Sequence, residues 1–541
     1  MPKSVIIIGG GLGGLFTGAI LAKEGYGVTV LEKNATIGGG LQSFRRFGVT
    51  FDTGTHVIAG MRPGGNIWRI CRYLGIADKV QIEHVDADCT DRLFFAEDRQ
   101  TYTIAQGRDG FVESLARNFP AEREGLRRYV DAVLQISANT DLFNLRPSTG
   151  AMPLFSASPC FLMAADEFIA QFVSDRKLRA VLAYMNPLYG GRPGETPAYV
   201  HAIICTLYIE GASRFAGGSH HFADLLAGVI SSHGGSVEAG DGVEWIEVSH
   251  AQGGTSRRSN RHVDYVRTRK GRVYTADHYI SAIHPCTLMG LMDEQAFPKA
   301  YRERLNSLPN AHSAFSLFIK LKPGSFPYIN HSEYYMTRYA DVWNFSRTDR
   351  PWPLGFLFMT PPEPNGKSRA MSDNTLGMRD FASIAQPAAK ALVTAPRPFA
   401  MAARWEATTV GHRGADYKVW KEERAWELLR LLDDMHPGFT DCIEAMESAS
   451  PLTIRDYYGA KEGTICGFSK DCRNIAASQL PVVTKIDNLL LTGQNNNLHG
   501  FCGVPLTAIN TCEALTGINS IINKVNAGLG RPLQRRGGST C

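Results

Sequence analysis

The sequence predicts an α/β fold, a Rossmann-like nucleotide-binding sheet that carries an inserted α+β region. Three observations point there. The chain opens on a β-branched run, Ser4 to Ile8, followed by a glycine turn, a helix-period segment and a second β-branched run. Near its other end, Asp487 to Leu491 reads as a buried strand that again leads through a glycine-rich loop into a helix. Its 541 residues, at roughly 150 per domain, leave room for three to four domain-sized units.

Composition narrows the class. Hydrophobic residues are 44% and charged residues 20%, ordinary for a globular protein, which excludes wholesale disorder, collagen and coiled coil. Lys plus Arg is 57 against 52 Asp plus Glu, a net +5 too weak to name nucleic acid as the main partner. Eleven cysteines, an odd number without a CxxC pair or zinc-finger spacing, read as reduced thiols of a cytosolic protein and offer no metal site. The apolar stretch Val5 to Ala22 is too rich in glycine for a signal sequence or membrane anchor, so a mature N-terminus at or near Met1 is expected.

In the first unit, Gly9-x-Gly11-x-x-Gly14 follows the strand directly and opens the helix Leu15 to Glu24, with Gly13 in the same turn. Glycines there let the backbone approach a pyrophosphate, which meets the helix's unpaired N–H groups and positive dipole end. The second strand, Val28 to Leu31, ends on Glu32, 18 residues after Gly14, where a carboxylate can bind both ribose hydroxyls of an adenosine. Lys33 adjoins it and is grouped with the cofactor-binding residues. Strand, fingerprint, helix, strand and acid in this order point to dinucleotide binding, against the bland alternative of a nucleotide-free doubly wound sheet. A further run, Gly38-Gly39-Gly40-Leu41, lets a second stretch of backbone pass a flat ring or sugar chain, as an extended FAD requires and NAD does not. Read alone, it also suits a tight surface turn.

Toward the C-terminus, Gly493 to Gly503 is too rich in glycine and asparagine for a helix, and Val504 to Leu515 reads as a helix starting beside it. A second helix N-terminus then faces the cofactor. Gln494 offers ribitol or phosphate a neutral amide, while Asn495 to Asn497 either join it or form a capped surface turn.

Taken together, these residues resemble the FAD-dependent carotenoid and retinoid oxidoreductase family, which includes phytoene desaturases, carotenoid isomerase and retinol saturase. The likeness spans nearly the whole chain. It runs through Gly54-Thr55-His56, Gly217-Gly218-Ser219, Gly234 to Val237 and Val243 to Ile246, and it ends on Leu491 to Gly500 with Gly503. The last motif is the most specific and is similar above all to the saturase and isomerase branch. The resemblance implies a GxGxxG-type flavoprotein in which Val243 contacts the adenine through its backbone. Many flavoproteins of this fold carry an acid where Gln494 stands, so this site has one negative charge fewer near the cofactor.

The expected organisation is discontinuous. Residues 1–100, 210–290 and 475–525 build the FAD-binding domain, and 101–209 with 291–474 build the substrate-binding domain. Helices are expected in Phe111 to Val133 and Ala164 to Tyr184, a polar hairpin loop at Ala251 to His262, a Pro-rich loop at Pro361 to Gly377, and a flexible tail over 526–541. No second GxGxxG follows a strand, so hydride from NAD(P)H, or electrons from another external redox partner, must enter the same flavin pocket. His56, Tyr458 and His499 are the catalytic candidates, because reduction of a double bond by hydride leaves a neighbouring carbon to be protonated. Each is equally suited to a plain hydrogen bond to flavin or backbone. Met185 to Tyr189, His201 to Tyr208, Leu354 to Met359 and Trp405 either line a tunnel for an isoprenoid chain or belong to the core, the commoner fate of such stretches.

The resemblance thus implies an enzyme that reduces, desaturates or isomerises a C=C or C–C bond of a long apolar isoprenoid or polyene. Such a substrate adds peripheral membrane contact to the cytoplasmic expectation. Two alternatives stay open: a flavin amine oxidase-like enzyme on the same fold, and a prenyl- or lipid-binding protein of the GDP-dissociation-inhibitor type.

Overall fold

The computed structural model describes residues 2–148, 159–250, 261–363 and 387–528. Most of the polar loop at 251–262, of the Pro-rich loop at 361–377 and of the tail from 526 lies outside the described residues.

The β-branched strand Ser4–Ile8 sits at the centre of a five-stranded parallel sheet, where both of its faces are buried. The strand order is Ser236–Glu238, Gly27–Leu31, Ser4–Ile8, His278–Ser281, Leu489–Leu491, so the start, middle and end of the chain meet in one sheet. Alternation along the central strand sorts two cores. Val5 and Ile7 face the helices Leu12–Lys23, His220–Ser232 and Gly500–Thr516. Ile6 and Ile8 face an antiparallel ribbon, Val243–His250, Arg261–Thr268 and Val273–Tyr274, through Ile246, Val263 and Val266.

A second, mixed sheet of seven strands runs in the order Ile443–Ala449, Ser313–Leu321, Lys390–Arg397, Gly355–Met359, Ser332–Met336, Asp91–Phe95, Gln100–Ile104. One of its faces packs on the long helix Gly414–Met435 through Phe315, Leu317 and Ile319. The boundary drawn at residue 100 falls inside the hairpin 91–104, at the start of its second strand, and both strands belong to this second sheet. The first of them, Asp91–Phe95, pairs in parallel with Ser332–Met336, over 200 residues away.

Two helical expectations resolve into shorter pieces. Phe111 to Val133 spans the helices Arg108–Ala116 and Arg123–Ala138, separated by a turn at Pro120, and Ala164 to Tyr184 spans Ala165–Ala170 and Arg176–Leu182. The C-terminal helix begins at Gly500, not Val504. A Cβ on Gly503 would stand 2.5 Å from the Leu498 carbonyl carbon, so this glycine serves close packing of the first helical turn against the loop.

Candidate functional site

The C-terminal ends of the parallel strands open on a cavity of about 560 Å³. Gly9, Gly11, Gly13, Glu32, Lys33, Gly39, Gly40, Leu41, Val243, Gly493, Gln494, Gly503 and Val504 line it, as do His56, Tyr458 and His499. Gly14 does not. A Cβ there would stand 1.9 Å from the Gly9 carbonyl oxygen, so Gly14 lets the helix Leu12–Lys23 seat against its own strand and touches no ligand space.

The glycines that do line the cavity form a cradle fit for an extended dinucleotide. A Cβ on Gly11 would meet nothing closer than the Gly39 Cα at 3.9 Å, and one on Gly493 would meet nothing within 4 Å. Packing does not demand glycine at these points; the open space beside the backbone does. Gly39 and Gly493 also hold φ of +57° and +105°, which side chains disfavour. The three loops converge closely, a Cβ on Gly13 lying 3.2 Å from the Gly493 Cα. Glu32 is buried at the far end of the first loop. The Gly10 N–H donates to its Oε2 and the Asn34 N–H to its Oε1, both at 2.8 Å, fixing the carboxylate at the cavity wall. Lys33 turns away, its Nζ donating to the Asp456 carbonyl at 2.5 Å, which ties the helix Pro451–Tyr458 to the nucleotide sheet. Burial lowers its pKa.

Tyr458 ends that helix and threads its phenol between two glycine loops. A Cβ on Gly54 would fall 2.1 Å from the Tyr458 hydroxyl oxygen, and one on Gly40 would fall 3.6 Å from it. Burial raises the phenol's pKa, with a hydrogen bond to Thr53 pulling the other way. His499 is the N-cap residue of the helix Gly500–Thr516, and burial pushes its imidazole down to about 4. Burial also takes His56 to about 4, against the pull of Asp52. Asn495 and Asn496 are buried and bonded to the chain: the Asn495 Oδ1 accepts from the Phe468 N–H at 2.9 Å, and the Asn496 Nδ2 donates to the Leu480 carbonyl at 3.2 Å. They brace the loop beneath Gln494 and do not form a surface turn.

The remainder of the cavity is largely apolar and is lined by one helix and one sheet. Val200, Ile203, Ile204, Leu207 and Tyr208 form one stripe of the helix Ala198–Glu210, spaced as a single helical face. His201 and Cys205, on its other face, join Tyr129 and Tyr189 in a buried cluster away from the cavity. Opposite the stripe, Ser316, Thr394, Leu357 and Tyr334 stand in register across four strands of the seven-stranded sheet, and all four line the cavity. The other candidate tunnel stretches reach the cavity through Pro187, Leu188, Phe356 and Leu357; Trp405 belongs to the core against Tyr417 and Trp420. His284 and His312 also line it and were not anticipated. His284 follows the strand His278–Ser281 by three residues, the position from which parallel strands present side chains to a ligand crevice, and that spacing was a readable signal. The cross-sheet row left no such signal, because its members are scattered from 316 to 394.

Residues 7–74 match the family of NAD(P)-binding Rossmann-like domains. The chain is 25% identical to human all-trans-retinol 13,14-reductase, over 92% of its own length and 83% of the reductase. With prolycopene isomerase 2 of an Oncidium hybrid it shares 24% identity over 85% of this chain and 74% of the isomerase. Over nearly its whole length the chain is thus similar to carotenoid and retinoid oxidoreductases. FAD is its cofactor, and the glycine cradle, the pinned Glu32 and the helix N-termini at Leu12 and Gly500 are the parts that would hold it. The cyclohexylamine oxidase of Brevibacterium oxydans superposes with a TM-score of 0.56 over 95% of this chain and all of that one, at 14% identity, a likeness of fold alone.

Proposed function

We propose that this protein reduces or isomerises a C=C bond of a long apolar isoprenoid or polyene. One observation carries the reading: the dinucleotide cradle opens into an arm walled by the apolar stripe of the helix Ala198–Glu210 and by one face of the seven-stranded sheet. A cavity of that lining suits a slender hydrocarbon chain and offers no acidic group along it for an amine. Desaturation of a C–C bond is the same chemistry in reverse.

When bound, FAD supplies hydride acceptance and donation. The protein's part is to align the substrate, exclude water and handle the proton. Tyr458 is the residue we assign to proton donation, since its hydroxyl reaches the cavity wall between the Gly40 and Gly54 loops. His56 and His499, at about 4, are neutral near pH 7 and serve as hydrogen-bonding and positioning groups. NAD(P)H or another external carrier reaches the same cavity to exchange electrons. Among the described residues no helix is long and apolar enough to cross a membrane. Val419 and Trp426, exposed seven residues apart on the helix Gly414–Met435, support peripheral contact with one.

The test is an anaerobic visible spectrum of the purified protein, taken after NADPH and again after all-trans-retinol. Flavin bands that bleach and then recover with the polyene support a saturase. A product isomeric with its substrate, formed only on reduced flavin, supports an isomerase. Purified protein that neither carries nor takes up flavin refutes the enzyme reading and favours a prenyl- or lipid-binding carrier.

A further inference from the structure

The arm holds a buried polar group, beside Ser316 and Thr394 of the same cross-sheet row, that the proposed chemistry does not use. Tyr334, on the strand Ser332–Met336, lines the cavity, is 2% exposed, and its hydroxyl has no hydrogen-bond partner among the described residues. A phenol is seldom buried without one, because the hydroxyl loses its bonds to water and gains nothing. Its ring is held firmly. Leu93 and Leu357 flank it in register on the neighbouring strands, and the Tyr184 ring meets it edge-on at 5.2 Å between centroids.

The residues beside it extend the polarity. Tyr184 donates to the Asp91 Oδ2 at 2.7 Å. Asp91 pairs in register with Ser332, whose Oγ lies 3.5 Å from the buried Arg214 guanidinium. Tyr208, from the facing helix, brings a second phenol to the same cavity. Tyr334 and Tyr208 thus bring two phenols to the cavity wall, with Asp91, Tyr184, Ser332 and Arg214 outside its lining, and the Tyr334 hydroxyl has an open bond among the described residues.

We infer that the Tyr334 hydroxyl is a docking point for an oxygen function on the substrate, an alcohol or carbonyl group of the polyene. The inference rests on the polyene reading above and sharpens it: the arm is built for an oxygenated chain in preference to a pure hydrocarbon. A hydrocarbon of equal length fills the same space but leaves the phenol unpaired, so the site discriminates by that one missing bond.

The experiment uses the flavin-loaded enzyme under anaerobic conditions and follows the flavin spectrum during titration. The two probes are all-trans-retinol and the same polyene with a terminal methyl in place of its CH₂OH. The wild type should bind the alcohol about ten-fold more tightly. Tyr334→Phe, which keeps the ring and its contact with Tyr184, should erase that preference and leave the hydrocarbon's affinity within about two-fold. Equal affinities in the wild type overturn the inference without any variant, while leaving the polyene reading intact. A preference that survives in Tyr334→Phe overturns it as well. If neither probe perturbs the flavin of the wild type, the polyene reading falls and takes this inference with it.

Discussion

Alanine substitutions at Gly11 and Gly14, three residues apart, should fail in opposite ways. At Gly14 an added Cβ would stand 1.9 Å from the Gly9 carbonyl oxygen and 3.3 Å from the Ala282 Cβ. Overpacking of this kind costs about 1–3 kcal/mol, and with a rigid carbonyl as the obstacle the upper part of that range applies. Alanine recovers roughly 1 kcal/mol of helix propensity, leaving a net loss of about 1–2 kcal/mol in the apoprotein. At Gly11 the same Cβ meets only the Gly39 Cα at 3.9 Å, and the residue's φ of −79° suits any side chain. Apoprotein stability should then stay within about 0.5 kcal/mol. The methyl group occupies cradle space, so FAD affinity should drop about ten-fold or more, roughly 1.4 kcal/mol. Urea unfolding of the two apoproteins, paired with FAD titration, separates the cases. Full FAD affinity in Gly11→Ala, or a Gly14→Ala apoprotein as stable as wild type, would refute the division between cradle and packing glycines.

Other consequences are testable in the same way. Gly54→Ala drives a Cβ into the Tyr458 hydroxyl and should cost about 1–3 kcal/mol, whereas Gly54→Ala combined with Tyr458→Phe should recover most of it; additive losses in thermal unfolding would contradict the contact. Tyr458→Phe alone should leave flavin content intact and lower turnover at least ten-fold, with undiminished turnover removing Tyr458 from the proton-donor role. Glu32→Ala strands the Gly10 and Asn34 N–H groups and should weaken FAD retention while lowering apoprotein stability by about 2 kcal/mol, as read by flavin release on gel filtration and by urea unfolding. Burial takes His201 to about 3 and His56, His284, His312 and His499 to about 4, so the unfolded chain binds more protons below 6.5 and stability falls as pH drops from 6.5 toward 4. Asp91, raised to about 7, runs the other way over pH 4 to 7, but these five histidines outweigh one carboxylate; a denaturation midpoint unchanged between pH 7 and 4.5 would contradict this.

How much of this was legible depended on how local each device is. The nucleotide half of the site is written in short runs: strand, glycine turn and helix within residues 4–23, the acid at Glu32, the second loop at 38–41. Each run is a single backbone event whose residue types follow from φ, from close approach or from an unpaired N–H, so the sequence names its own geometry. Even there, Gly14 was grouped with its neighbours, because spacing alone does not tell a glycine that meets a ligand from one that meets its own strand.

The substrate half obeys a different rule. Its helix stripe at 200, 203, 204, 207 and 208 is periodic, yet periodicity says only that the face is covered, and both core and cavity wall satisfy that. What turns the stripe into a wall is the row Ser316, Thr394, Leu357 and Tyr334 facing it, set by strand register between segments with no sequence relation to one another. A one-residue slip in any of those pairings would send every member of that strand to the opposite face, onto the helix Gly414–Met435. Substrate preference in this chain therefore resides in register more than in motif, and relatives sharing the whole cofactor fingerprint are free to differ in what they bind through the residue at a position such as Tyr334.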